Sequence, residues 1–261
     1  MKSNTAALRR TGAFGNTLTF ILPAFILLAA LVGFWQQQCV SRGIPSWMLA
    51  KPTDIGSALY SGFAETAPYL ASTYFNILVG FFLSVVIGLG LAVLLTCSPL
   101  LSKALTPIIV VLCCVPMVTL VPLLLVMVGS GSAPKIIVIV LQSFAIVNMN
   151  ACVGFANVDH TRLELMQSMK ATRVQQFRYC ILRDAMPSIF TGVKLASVLA
   201  MISGVSAEMS GGAGGLGNFI SYLVGYSRMP EAFACIVYIA LLGLLLYGAI
   251  SLLEKHLTRG M

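Results

Sequence analysis

Charge is what this sequence has least of. Asp, Glu, Lys and Arg together supply 9% of its 261 residues, where a soluble protein uses about a quarter. A water-facing surface cannot be closed with so few charges, and the 58% of apolar residues has to face something other than water. Histidine is scarcer still. His160 and His256 are the two present and lie far apart, which leaves no basis for a metal centre. Seven cysteines, at 39, 97, 113, 114, 152, 180 and 235, form no CxxC pair. Most lie inside apolar runs, where a thiol packs as a small hydrophobe, so neither a disulfide framework nor a thiolate site is implied. The glycine run Ser210-Gly211-Gly212-Ala213-Gly214-Gly215-Leu216-Gly217 has no lysine after it. That excludes a phosphate-binding loop, which needs one, and leaves a flexible re-entrant turn.

What is present is a series of long apolar segments. They run over 18–35, 72–96, 105–128, 135–155, 189–207 and 232–253. Each is near the roughly 20 residues that cross a hydrocarbon core. The third contains Pro107, Pro116 and Pro122 and is expected to be kinked or to start late. The first follows a basic tail but has no small-residue cleavage site after it, so it is read as a retained span. Six spans put both termini on one side. Lys2, Arg9, Arg10, Lys103, Arg162, Lys170, Arg173, Arg178, Arg183, Lys255 and Arg259 then share that side, against Arg42, Lys51, Lys135 and Arg228 on the other. Eleven cations against four make the side of the termini cytoplasmic. Lys194, one turn into the fifth span, can snorkel back to that surface. The net charge of +8 is thus spent on topology, not gathered in a patch with interleaved aromatics, and nucleic acid is not an expected partner. The expected organisation is a cytoplasmic tail at 1–17 and a transmembrane domain at 18–261, in contact with lipid bilayer.

Residues 159–187 interrupt the apolar pattern with five cations. Thr161 with Glu164, and Thr172 with Gln175, each fit a capping box, in which a hydroxyl and a side chain three residues on satisfy each other's orphan amides. The first helix would carry Leu163, Met166 and Met169 on one stripe, and the second Val174, Phe177 and Ile181. Two short amphipathic helices joined near 170–172 are therefore expected beneath the membrane, each with an apolar face suited to a groove. An ordinary solvated loop is the plainer reading of the same residues.

Glu164, Ala171, Leu182, Pro187, Gly192, Ala207-Glu208 and Gly215-Leu216-Gly217 fall in an order and spacing that resembles the membrane permeases of bacterial ABC importers, on the branch for sulfonates, taurine and nitrate. The resemblance implies an all-α membrane protein of the type I importer fold. It would have six transmembrane helices and a cytoplasmic two-helix coupling loop, 156–188, between spans four and five. In that family the loop carries an E-A-A motif, then a glycine and later L-P, and docks on a cytosolic ATPase. Glu164, Leu165, Met166, Met169, Lys170, Ala171, Val174 and Phe177 are the coupling residues so implied. The chain departs from the motif in three places. The triplet reads Glu164-Leu165-Met166, the glycine position holds Lys170, and the proline of L-P is Arg183. These departures point to a tighter, more helical connection between the two short helices.

The resemblance implies partners as well: a pair of ATP-binding subunits, a second permease copy (identical or related) and an extracytoplasmic solute-binding protein. The chain itself is then not an enzyme and holds no cofactor, ATP and Mg being bound by the partner ATPase. Pro116 and Pro122 are candidate kinks lining the pathway, with Asn76, Gln142, Asn148 and Asn150 as its few polar groups. Glu208, beside the glycine run, suits a gate or an inter-helix contact better than a ligand, because a carboxylate repels an anionic solute. The expected cargo is a small organic or inorganic anion such as a sulfonate or nitrate. A permease for a vitamin or pyrimidine precursor is an alternative, and so is an ion-coupled secondary transporter. The last would want a mid-membrane ionisable group, and the centres of spans two, four and six carry none. An intramembrane serine protease using Ser130 or Ser132 fails, because both histidines fall on the opposite face.

Overall fold

The apolar runs fold as helices throughout the described part of a computed structural model, which covers residues 8–211 and 214–258, without the side chains of 8–21, Ala24, Met117 and His160. The tail residues 1–7, Gly212 and Ala213 of the glycine run, and Arg259 lie outside the described residues. The order is α1 (Leu8–Ser41), α2 (Pro52–Ser61), α3 (Phe63–Cys97), α4 (Pro99–Cys114), α5 (Val121–Val128), α6 (Ser132–Ala156), α7 (His160–Ser168), α8 (Arg173–Gln176), α9 (Leu182–Met209), α10 (Leu216–Gly225) and α11 (Met229–Thr258). Among the described residues four helices are long and apolar enough to cross a bilayer: Phe63–Cys97, Ser132–Ala156, Arg173–Met209 and Met229–Thr258. A fifth is the broken pair Pro99–Cys114 and Val118–Val128, bent by 78°. The expected first span, 18–35, falls within α1.

The break in the third apolar run has a local cause. Proline disfavours the helical conformation in the residue before it, and Val115 is accordingly extended, with φ −77° and ψ 123°. A short 3-10 turn, Met117–Leu120, follows before α5 begins. Pro122 sits in the first turn of α5, where its missing N–H removes no bond. The bend therefore belongs to Pro116, and Pro122 starts the next helix.

At the centre α3, α6 and α9 pack against one another. α3 and α6 run parallel: Gly80 meets Ile139, and Gly88 meets Phe144 and Val147. α9 runs antiparallel to both, with Gly204 against Ile77 and Ile139. In a membrane, helix association depends on close fit rather than on water exclusion, so small residues belong at such crossings. Gly192 makes the same close approach between α9 and α6. A Cβ there would lie 2.6 Å from Asn150 Cβ, so only glycine lets α9 approach α6 this closely.

α11 covers α9 on one flank and is tied to it by Lys194 Nζ and Glu254 Oε2 at 2.7 Å. α2 leans on α11, where the Tyr238 hydroxyl donates to the Leu59 carbonyl. α1 meets the rest through the Trp35 and Phe233 rings, 5.7 Å apart, and through Gln36 and Thr53 at 3.3 Å. One element was not foreseen. Gly214 and Gly215 of the glycine run lead into a ten-residue helix, α10, whose Leu216, Phe219, Ile220 and Leu223 are buried against Ala232 and Cys235.

Candidate functional site

The charged insert begins with a cap other than the expected one. The Asp159 carboxylate accepts from Thr161 N at 2.9 Å and starts α7 at His160, so Thr161 lies inside the helix and its capping box with Glu164 is not formed. An aspartate satisfies the orphan amides and also favours the positive N-terminal pole, which a hydroxyl does less well. α7 ends in a Schellman turn: Lys170 N donates to Gln167 O at 2.8 Å and Ala171 N to Met166 O at 3.0 Å. Lys170 takes the left-handed conformation, φ 57°, that such a turn gives to a glycine. The chain turns here despite the missing glycine, in place of the more helical connection expected from the departures.

The second capping box does form. Thr172 Oγ1 accepts from Gln175 N at 3.4 Å, and Gln175 Oε1 accepts from Thr172 N at 2.8 Å. The helix it starts is not a separate short one. α8 passes through a π-turn, Phe177–Ile181, straight into α9, so the insert contains one free-standing helix and the first turns of the fifth span. With Arg183 in place of a proline, nothing between 173 and 187 interrupts the hydrogen-bond ladder.

The predicted coupling residues divide into two groups. Glu164, Leu165, Met169, Lys170 and Val174 are exposed, the apolar ones at 62%, 75% and 75% for Leu165, Met169 and Val174. Met166, Ala171 and Phe177 are half-buried. Phe177 faces the bundle, its ring 5.6 Å from that of Phe155 at the end of α6. Val174 is exposed and Phe177 half-buried, so the two do not share a stripe. Met169 leaves its stripe because α7 has ended before it. Tyr179, also exposed at 62%, extends the apolar surface and was missed, since its spacing from Val174 suits no straight helix.

At the opposite end of α9, Glu208 is 1% exposed and Lys135, from α6, is 2% exposed. Their charged atoms lie 3.7 Å apart. Glu208 Oε2 accepts from the Thr73 hydroxyl at 2.7 Å and from Gly217 N at 3.0 Å, while Lys135 Nζ donates to Gly214 O at 2.8 Å. Thr73 Oγ1 in turn accepts from Leu216 N at 2.6 Å. Thus one carboxylate and one hydroxyl cap α10 from outside its own chain segment, and the ammonium holds the preceding turn. Gly215, at φ 93°, is packed against the carboxylate; a Cβ there would lie 2.2 Å from Glu208 Oε1. Burying two charges is tolerable because hydrogen bonds complete both groups. Glu208 joins α9 to α3, α6 and α10 through these contacts. Lys135, placed at the outer start of the fourth span by the charge count, is a buried member of the same cluster.

Of the amides named as pathway candidates, Asn148 Nδ2 donates to Gly88 O at 3.3 Å and Asn150 Nδ2 to Ile146 O at 2.8 Å, both within the α3–α6–α9 packing. Asn76 is 2% exposed, and among the described residues neither side-chain polar atom has a partner. Gln142 is half-buried. Pro116 and Pro122 are exposed, at the bend and just after it. Among the described residues no group of histidine, cysteine, aspartate or glutamate is arranged to hold a metal ion.

Residues 84–259 match the family described as binding-protein-dependent transport system inner membrane component. The chain is 28% identical over 254 residues to the nitrate import permease protein NrtB of Leptolyngbya laminosa, covering 94% of this chain and 90% of the relative. It is 28% identical over 238 residues to the taurine transport system permease protein TauC of Escherichia coli, covering 88% and 86%. It is 31% identical over 189 residues to the formylaminopyrimidine transport permease protein ThiX of Halalkalibacterium halodurans, covering 72% and 76%. Among solved structures, an inward-facing MetNI methionine ABC transporter superposes with a TM-score of 0.63 at 22% identity, over 74% of this chain and 96% of that one.

Proposed function

Because the chain belongs to the binding-protein-dependent transport system inner membrane components, we propose that it carries a small anion through an ATP-driven importer and takes its drive through the insert at 156–188. As a multi-pass inner-membrane permease it is a non-catalytic subunit, and the family works with an ATPase, a binding protein and a permease pair. Both termini and the insert face the cytoplasm, two ATPase subunits bind ATP and Mg, and the second permease is either an identical copy or a related chain.

One observation carries this reading: the insert holds Leu165, Met169 and Val174 exposed on an otherwise charged surface. Apolar side chains kept in water next to Glu164 and Lys170 suit a groove on a soluble partner. Capping at Asp159 and Thr172 fixes their direction. When the ATPase pair closes on ATP, α7 moves with it, and the spans rock between inward-open and outward-open states whose populations the nucleotide shifts. The bend at Pro116 gives the third apolar run two segments that can reorient during that exchange.

An anion as cargo is favoured by the nitrate and taurine permeases among the relatives. The likeness to a formylaminopyrimidine permease, at 31% identity, supports a second reading with a pyrimidine precursor as solute.

The test is co-purification in mild detergent of the tagged chain and of the variant Leu165→Asp/Val174→Asp. The native chain is expected to bring an ATPase with a Walker motif in stoichiometric amount, and the variant to lose it while its thermal unfolding stays unchanged. A native chain that purifies without an ATPase, or a variant that keeps it, refutes docking through this face. Calorimetry on the co-purified binding protein with nitrate, taurine and formylaminopyrimidine then decides between the two cargoes.

A further inference from the structure

α7 is nearly free of the bundle, and its charged contact with the fifth span stands out. Arg162 Nη1 donates to Asp184 Oδ1 at 2.8 Å, and Arg162 Nε lies 3.7 Å from Asp159 Oδ2 at the cap of the same helix. Asp184 is in the first turn of α9, directly after the π-turn. Its side chain is only 17% exposed, and among the described residues its second oxygen, Oδ2, is buried without a partner. An exposed ion pair holds little, because water replaces either member readily. Here the carboxylate is largely shielded, and without the guanidinium both of its oxygens would lack a donor.

The covalent route from α7 to α9 is the turn at 169–172, where Lys170 sits in the left-handed region. That turn holds one end of α7 through local backbone bonds alone, and the Arg162 to Asp184 bond ties the other end to α9. We propose that Arg162 and Asp184 are positioning residues that make α7 and the fifth span move as one body, so that displacement delivered to the insert reaches the glycine turn at the far end of α9. This rests on the reading of the insert as the ATPase-docking element.

The experiment uses the full chain co-purified with its ATPase, carrying Ser210→Cys as a reporter at the far end and with the exposed Cys97, Cys113 and Cys114 changed to serine. The readout is the thiol-labelling rate with and without ATP. The native pair is expected to show an ATP-dependent change in rate. Arg162→Asp and Asp184→Arg are each expected to lose that change, and the swapped double variant to regain it. A purely structural role would lower the ATPase content of the single variants, whereas a coupling role loses the ATP response with that content unchanged. Single variants that keep the ATP response, a swap that fails to restore it, or a native pair with no response each overturn the proposal. Where a single variant also sheds the ATPase, the swap must restore both. Absence of an ATPase from the native preparation is a different outcome, and it sinks the docking reading instead.

Discussion

Removing Glu208 tests whether the buried cluster is a structural cap or an adornment of the glycine turn. Glu208→Ala takes away the acceptor for Gly217 N and the carboxylate facing Lys135, whose side chain is 2% exposed. Breaking a buried pair by deleting one partner costs about 3–5 kcal/mol, because the remaining charge stays desolvated. The Thr73 hydroxyl, still accepting from Leu216 N, keeps part of the cap on α10. For a chain of this length each kcal/mol moves the midpoint by about 2–4 °C, so the variant should melt roughly 6–20 °C below the native protein. Lys135→Met is nearly volume-conserving and leaves the carboxylate its two donors, Thr73 Oγ1 and Gly217 N. It should cost less, about 2–3 kcal/mol. Combining Lys135→Met with Glu208→Ala removes both charges and should cost less than the two losses added, since residues in one network couple by about 0.5–3 kcal/mol. The assay is thermal unfolding in detergent, followed by far-UV circular dichroism, on all four proteins of the cycle. A Glu208→Ala midpoint within about 2 °C of native would mean that the cap contributes nothing. Strictly additive losses would mean that the two charges do not act on each other.

Two further outcomes follow from the packing and the turn. Lys170→Gly should raise stability by about 1 kcal/mol, because a side chain at φ 57° is strained and glycine is not, whereas Lys170→Ala keeps the strain and should change nothing. Thermal unfolding of both variants checks this, and a fall for the glycine variant refutes it. Gly192→Ala should destabilise by about 1–3 kcal/mol, since its Cβ would lie 2.6 Å from Asn150 Cβ and α9 must move away from α6. An unchanged midpoint would show that the helices part without cost.

The spans were legible because length and apolarity define them, and four of the expected segments recur as long helices. Thr172 was legible as a cap because its partner Gln175 lies three residues on. The cap at Asp159 was not: Asp159 and Thr161 both suit the role, and the choice depends on which carboxylate or hydroxyl meets the first free amides. α10 stayed hidden because ten residues are too few for a span, although Leu216, Phe219, Ile220 and Leu223 carry a helical period. The Lys135 to Glu208 pair is 73 positions apart in sequence, and only the antiparallel packing of α6 on α9 brings its members together. Two of the three departures in the insert illustrate opposite lessons. Losing a proline at Arg183 did extend a helix, because proline acts through its own missing donor. Losing a glycine at Lys170 did not, because hydrogen bonds from Lys170 and Ala171 hold the turn whatever side chain occupies it.

The fifth span is the element on which these features converge. From Arg173 to Met209 it is 37 residues without a loop, about 55 Å at the rise of an α-helix. Near its start Asp184 receives Arg162 from α7, a turn or more later Lys194 binds Glu254 of α11, and at its end Glu208 caps α10. Between those points Gly192 and Gly204 hold it against α6 and α3 at distances that allow no Cβ. Between Gly192 and Gly204 the helix is gripped too closely to bend locally, since a close-packed interface transmits strain instead of dissipating it. Movement that reaches this stretch is passed on along it as rotation or translation. The glycine turn, bonded to the rod's far end through Glu208 and to α6 through Lys135, is where that displacement becomes a change in contact between helices.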